Sequence, residues 1–220
     1  MSFGKDVDVI LIYPKTGMDF GSTIAPPHSI LAIAAPLHEK GYKVKIIDQR
    51  TDSLWDKQLI ECLQKKPICV GISSMAGSQI YFAIEAAKIV RRITNGKIPI
   101  IWGGPHPSIL PEQTCKNEYV DVVCIGEGDI TFYEFVKALQ ERKSLRDING
   151  IAFKEYGKII VTPARPLLEV ETLLPVPWDL INVESYISRD MYLKKSLRAL
   201  DIGQTSRGCP FDCGFCSSAS

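Results

Sequence analysis

No apolar run in this chain approaches the roughly eighteen residues needed to span a bilayer, so the sequence offers no membrane helix. The opening residues, Met1 to Asp6, lack the pattern of a secretory signal, and the expected compartment is the cytoplasm. An excess of one charge is missing too. With 26 basic residues against 25 acidic ones the formal net charge is +1, which gives no electrostatic case for nucleic acid or a membrane surface as partner. The composition that remains, 45% hydrophobic and 23% charged over 220 residues, is that of a soluble globular protein long enough for one full domain and part of another.

Cysteine is the exception to this plainness. There are 7, an odd number, and three of them fall close together in Ser206-Arg207-Gly208-Cys209-Pro210-Phe211-Asp212-Cys213-Gly214-Phe215-Cys216. A disulfide framework fits neither the odd count nor a reducing cytoplasm. A structural zinc site wants a fourth ligand, and none follows the third cysteine. Three thiolates at this spacing suit a four-iron four-sulfur cluster that keeps one iron open for a further ligand. Gly208 and Gly214 give the loop backbone conformations closed to other residues, and Pro210 stiffens it between ligands.

From Val7 onward, short β-branched runs alternate with longer amphipathic ones, the signature of strand-helix-strand units on a parallel sheet. Strands are expected over 7–13, 43–48, 68–73, 98–102 and 120–125. Helices are expected over 29–40, 53–63, 79–93, 111–115 and 131–141. Five such units most simply give a flavodoxin-like, doubly wound five-stranded parallel sheet in the order 2-1-3-4-5, which binds ligands beyond the carboxyl ends of its strands. The loops at that edge are rich in glycine and small polar residues. One is long, from Pro14 to Pro27. The others contain Ser73, Ser74, Met75, Gly77 and Ser78, then Gly103, Gly104 and His106, then Gly126, Glu127, Gly128 and Asp129. Taken singly, each reads equally well as a turn or a helix cap. Beyond Arg142, Gly150 to Lys154 and Gly157 to Val161 read as a β-hairpin. Four prolines between 163 and 178 then mark an extended linker.

The run Arg207-Gly208-Cys209 to Phe215-Cys216 closely resembles the cluster loop of the radical SAM enzymes. The resemblance implies that Cys209, Cys213 and Cys216 bind the cluster, and that S-adenosylmethionine chelates the open iron through its amino and carboxylate groups. An electron from the cluster then cleaves it to a 5′-deoxyadenosyl radical, and Phe215 lies against the adenine. Residues 7 to 141, with Pro26-Pro27, Gly71-Ile72-Ser73-Ser74, Gly103-Gly104-Pro105-His106-Pro107 and Gly126-Glu127-Gly128, resemble the cobalamin-binding domain that precedes the radical SAM barrel in one large subfamily. That likeness implies that residues 73 to 78, 103 to 106 and 126 to 128 face the corrin and its nucleotide tail. Mutase-type cobalamin domains supply an axial histidine from an Asp-x-His-x-x-Gly motif after the first strand. Here that loop reads Tyr13-Pro14-Lys15-Thr16-Gly17, so no histidine from it is expected on cobalt. A second cluster, as in the related methylthiotransferases, is not expected, because Cys62, Cys69, Cys115 and Cys124 are scattered over strands and helices.

The expected organisation is a cobalamin-binding domain over 1–142, a hairpin and Pro-rich linker over 143–195, and over 196–220 the first strand and cluster loop of a truncated radical SAM barrel. The implied whole is the front of a longer enzyme for radical methylation or ring formation, supplied by an external electron donor, and this piece alone is expected to be inactive. Two other readings stand beside it: a non-catalytic module that binds cobalamin or flavin, and a radical SAM enzyme that keeps the domain only as a scaffold. The small-molecule or peptide substrate is not named by the sequence.

Overall fold

A computed structural model describes residues 7–19, 24–187, 200, 206–209, 211 and 213–216. The first strand, β1 (Val9–Tyr13), lies between two parallel neighbours, and its residues Val9 to Ile12 have no exposed surface at all. Such burial on both faces is the reason a parallel strand reads as an unbroken apolar run. Around it the sheet adds β2 (Val44–Asp48), β3 (Cys69–Ser73), β4 (Ile100–Gly103) and β5 (Val122–Cys124) in the parallel order β2-β1-β3-β4-β5. That is the order expected from the alternation of runs.

The hairpin, expected to follow the sheet as part of a linker, is part of it. Strands β6 (Ile151–Glu155) and β7 (Lys158–Val161) continue the sheet antiparallel beyond β5, making seven strands. The physical reason is burial: Ile151, Ala152 and Phe153 are 0 to 4% exposed and complete the apolar layer beside Val122 and Val123. The hairpin turns at Tyr156 and Gly157, both with positive φ, as a two-residue turn between right-twisted strands requires.

Helices α1 (His28–Glu39) and α6 (Asp129–Glu141) cover one face. Helices α2 (Trp55–Gln64) and α3 (Ser78–Thr94) cover the other. Two short helices, α4 (Pro105–Ile109) and α5 (Pro111–Lys116), lie between β4 and β5, where a single one over 111–115 was expected. Helix α1 ends as its sequence promised. Gly41, at φ +80°, lets its own N–H reach the His38 carbonyl while Tyr42 N–H reaches Leu37, closing the orphan carbonyls.

The proline-rich segment is tied down along its length. Arg165 Nε donates to Thr131 Oγ1 at 2.7 Å and its guanidinium pairs with Glu134. Leu168 N–H donates to Glu127 at 2.8 Å, and Trp178 meets the His28 ring edge-on at 5.6 Å between centroids. At its far end Tyr186 Oη donates to Asp48 at 2.9 Å. Asp48 is buried with Arg50, whose guanidinium grips it through Nε at 2.9 Å and a terminal nitrogen at 2.7 Å while lying 4.1 Å over the Tyr13 ring. A buried ion pair holds only when its remaining donors are satisfied, and here the Ala25 carbonyl takes one of them. Burial alone would pull the Arg50 pKa down, but the hydrogen bond and charge of Asp48 outweigh it and raise it. The expected barrel strand over 199–205 lies outside the described residues except for Leu200.

Candidate functional site

Strands β3, β4 and β5 stop at the same edge of the sheet, and beyond their ends lies a cleft of about 310 Å³. Its floor is apolar, made by Ile30 and Ile33 of α1, Ile72, Ile101 and Phe132. Its rim is made by Ser73, Gly103, Gly104 and the 126–129 loop, and Ser206, Arg207 and Gly208 close one side. Three glycines shape the space for different reasons. A side chain at Gly71 would come 2.7 Å from Leu11, so β3 can pass under Phe132 only without one. Gly128 packs so tightly on α1 that a Cβ would sit 2.9 Å from Ile33. Gly104 has φ +100° and lies against the Ser74 backbone, where a Cβ would be 2.8 Å from the carbonyl oxygen. Gly103 and Gly126 are different. A Cβ on Gly103 meets only Cys124 at an ordinary 3.6 Å, and on Gly126 it meets nothing within 4 Å. Their bare backbone borders open space, which is what the close approach of a flat ring to a loop requires.

Of the residues singled out from the sequence, Ser73, Gly103, Gly104, Gly126, Glu127 and Gly128 are gathered at the cleft. Ser74, Met75, Gly77, Ser78 and His106 stand at the same edge but do not line it. Ser74 is fully buried: its N–H donates to the Gly103 carbonyl and its own carbonyl accepts from His106 N–H. Gln79, 2% exposed, cross-braces this loop by accepting from Met75 N–H at 2.6 Å and donating to the Pro14 carbonyl at 3.1 Å. None of the three histidines lines the cleft. His28 meets Trp178 edge-on, His38 lies 3.3 Å from Asp179 and His106 belongs to α4.

Sequence reasoning missed the floor. Ile30, Ile33, Phe132 and Cys124 were not singled out, because apolar positions of a strand or helix carry no mark telling packed from ligand-facing. Cys124 and Cys69 are buried thiols. Burial pushes Cys124 up to about 12 and Cys69 higher still, so both stay protonated.

Cys209, Cys213 and Cys216 are exposed, and none of the chain's cysteines is in a disulfide. Gly208, before the first of them, has φ +77°, and Cys216 N–H turns back to the Cys213 carbonyl at 2.9 Å. Phe215 is 93% exposed. Among the described residues no group of three His, Cys, Asp or Glu side chains is gathered for a metal ion. The thiols are of the right kind and number for a cluster, and it is a residue two positions before the first of them that is fixed: Arg207 Nη1 and Nη2 donate to the two Asp129 oxygens at 3.0 and 2.9 Å, with Glu127 at 3.8 Å. The hydrogen bond to Asp129 raises the guanidinium above its ordinary value, more than partial burial lowers it.

A mixed, mostly parallel sheet with helices on both faces and a glycine-rimmed cleft at its carboxyl edge is the architecture of a Rossmann-like ligand-binding domain. The B12 binding domain family matches residues 22–136, and the chain belongs to it. It is 34% identical over 98% of its length to an uncharacterized methyltransferase of Pyrococcus horikoshii, covering 46% of that protein. It is 31% identical over 95% of its length to the anaerobic magnesium-protoporphyrin IX monomethyl ester cyclase of Rubrivivax gelatinosus, covering 38%. Among solved structures it resembles the cobalamin-dependent S-adenosylmethionine radical enzyme OxsB with aqua-cobalamin bound. The TM-score is 0.62 at 26% identity, over 73% of this chain and 23% of that one. The chain therefore spans less than half the length of these relatives. Among the described residues no helix is long and apolar enough to cross a membrane.

Proposed function

We propose that this chain is the N-terminal part of a cobalamin-dependent radical SAM enzyme, with cobalamin at the carboxyl edge of the sheet and a four-iron four-sulfur cluster on Cys209, Cys213 and Cys216. The observation that carries the reading is the cleft. Its size is at the lower end of small-molecule sites, about 300 Å³, which suits one heteroaromatic ring of a nucleotide tail and leaves the corrin to lie over the loops. The bare backbones of Gly103 and Gly126 fit that approach, and no histidine lines the cleft to reach for a metal.

The cofactors supply the radical and group-transfer chemistry, and the protein's share is to bind, orient and keep water away. Ile30, Ile33, Ile72 and Phe132 desolvate the ring. Ser73 offers its hydroxyl at the rim. The segment from Arg165 to Tyr186, pinned to α6, α1 and the end of β2, carries the chain onward to the cysteine loop. Cys209, Cys213 and Cys216 would hold the cluster through their three thiolates, and Phe215 is the residue that would lie along the adenine of S-adenosylmethionine.

Reconstitution with cobalamin and, separately, with flavin tests this. Corrin absorption retained through gel filtration is expected, with a cobalt spectrum that His28→Ala, His38→Ala and His106→Ala leave unchanged. Retention of flavin alone would sink the cobalamin reading. A radical methylation or ring closure, fed by an external electron donor, is the reaction class this assembly serves.

A further inference from the structure

Arg207 stands 78 residues from Asp129 in the chain, yet the two make a fork-to-fork pair with both contacts at or under 3.0 Å. Exposed ion pairs are worth little, but this one is shielded: the Arg207 side chain is 23% exposed and that of Asp129 12%. Asp129 is the first residue of α6, where the helix field favours a negative charge, so the acceptor is set before Arg207 arrives. The loop carrying it cannot shift freely. Gly128 is wedged on Ile33, and one Glu127 oxygen accepts from Leu168 N–H while the other faces Arg207. The same four residues, 126 to 129, form one wall of the cleft.

We infer that Arg207 and Asp129 are a positioning pair that docks the cysteine loop on the wall of the cobalamin cleft, so that two separately held cofactors share one loop as their common reference. The inference rests on the function proposed above. It assigns neither residue to the chemistry. Both act by setting where Cys209, two residues beyond Arg207, stands relative to the cleft.

The test uses the intact chain loaded with cluster and cobalamin, comparing Asp129→Asn, Arg207→Gln and the double variant at equal iron and cobalt content. The magnetic coupling between reduced cluster and cob(II)alamin, read by pulsed electron paramagnetic resonance, should show one narrow distance distribution in the parent. Each single variant should broaden it, and the double variant no further, because the pair acts as a unit. Arg207→Lys, which keeps the charge but not the fork, should fall between. In the cofactor-free chain, amide exchange at Gly208 and Cys209 should quicken about tenfold in either single variant, the loss of one charge-assisted pair. Unchanged distance distributions in both single variants would overturn the inference. So would unchanged exchange, which needs no cofactor. Failure of the parent to bind cobalamin, with exchange altered as expected, would instead strike the functional reading and leave the docking contact standing.

Discussion

At the ligand edge the spaces where Gly71 and Gly128 lack side chains are filled by Leu11 and Ile33, whereas Gly208 and Gly214 in the cysteine loop have nothing within 4 Å. The floor of the cleft is shaped by the domain's own core, with Ser206, Arg207 and Gly208 closing one side of it. The cysteine loop has its three cysteines and Phe215 exposed, and its Arg207 is held to the domain by the Asp129 carboxylate. A site of the first kind exists before its ligand arrives. One of the second kind acquires its geometry from what binds it and from whatever further structure packs over it.

The sharpest way to break this contrast is to remove one thiol. Cys209→Ala, Cys213→Ala or Cys216→Ala should each cost most of the iron after anaerobic reconstitution and leave cobalamin retention unchanged. Full iron loading in all three variants would show that the ligands lie elsewhere. Next in size is Gly103→Leu. It fills open space without backbone strain and should weaken cobalamin binding roughly a hundredfold, as overpacking a fitted site does, while the melting temperature of the cofactor-free domain stays within a few degrees. Retained affinity would move the ligand away from β4. Gly104→Leu is no substitute, because its positive φ and the Ser74 backbone would damage the fold itself.

Turnover sharpens the same comparison. The chain as it stands is expected to hold cobalamin yet release no stoichiometric 5′-deoxyadenosine under reducing, anaerobic conditions. Hydrogen exchange should be slow in β1 and β3 and fast at 213–216. Strong protection there, with deoxyadenosine release, would make the cysteine loop as self-sufficient as the cleft.

Alkaline pH reaches the core through its buried thiols. Cys69 and Cys124 have folded pKa values raised above the unfolded one, so the unfolded chain loses those protons first. The stability they contribute is complete below about pH 9 and is lost as pH rises toward about 12, the folded value of Cys124. Each thiol should steepen the loss by about 1.4 kcal/mol per pH unit, and Cys69→Ala should remove its share when urea unfolding is followed from pH 8 to 10.5. A flat profile would show that these thiols are not sealed in the native state. The smallest effect is expected from Tyr186→Phe. It takes one donor from Asp48 but leaves Arg50 in place, at a cost of about 1 kcal/mol in urea unfolding. No change at all would mean that residues 183–186 are not fastened to the domain.

Much of this was legible in the residues. The strand order follows from apolar runs of strand length alternating with helical ones, and the rim of the cleft from glycines clustered after β4 and β5. The hairpin was legible as a hairpin, but its membership of the sheet was not, since strand pairing depends on which edge is free and not on local pattern. The pairing of Arg207 with Asp129 was equally hidden. Each sits beside a glycine motif that explains it locally, and only the folded chain shows that the two motifs meet.

The hairpin also has a consequence for handling the protein. It leaves the ligand edge at Gly150 and comes back to it at Pro163, where Gly150 N–H donates to the Pro163 carbonyl at 2.8 Å. The two strands between are thus an excursion with almost no net displacement, and lengthening it would leave the path of the following segment where it is. Its tip is the far point of the loop, and Tyr156 there is 97% exposed. A fluorophore or affinity handle inserted between Tyr156 and Gly157 would sit at the opposite end of the sheet from the cleft, a ready place to watch or tether the molecule while its cofactors are loaded.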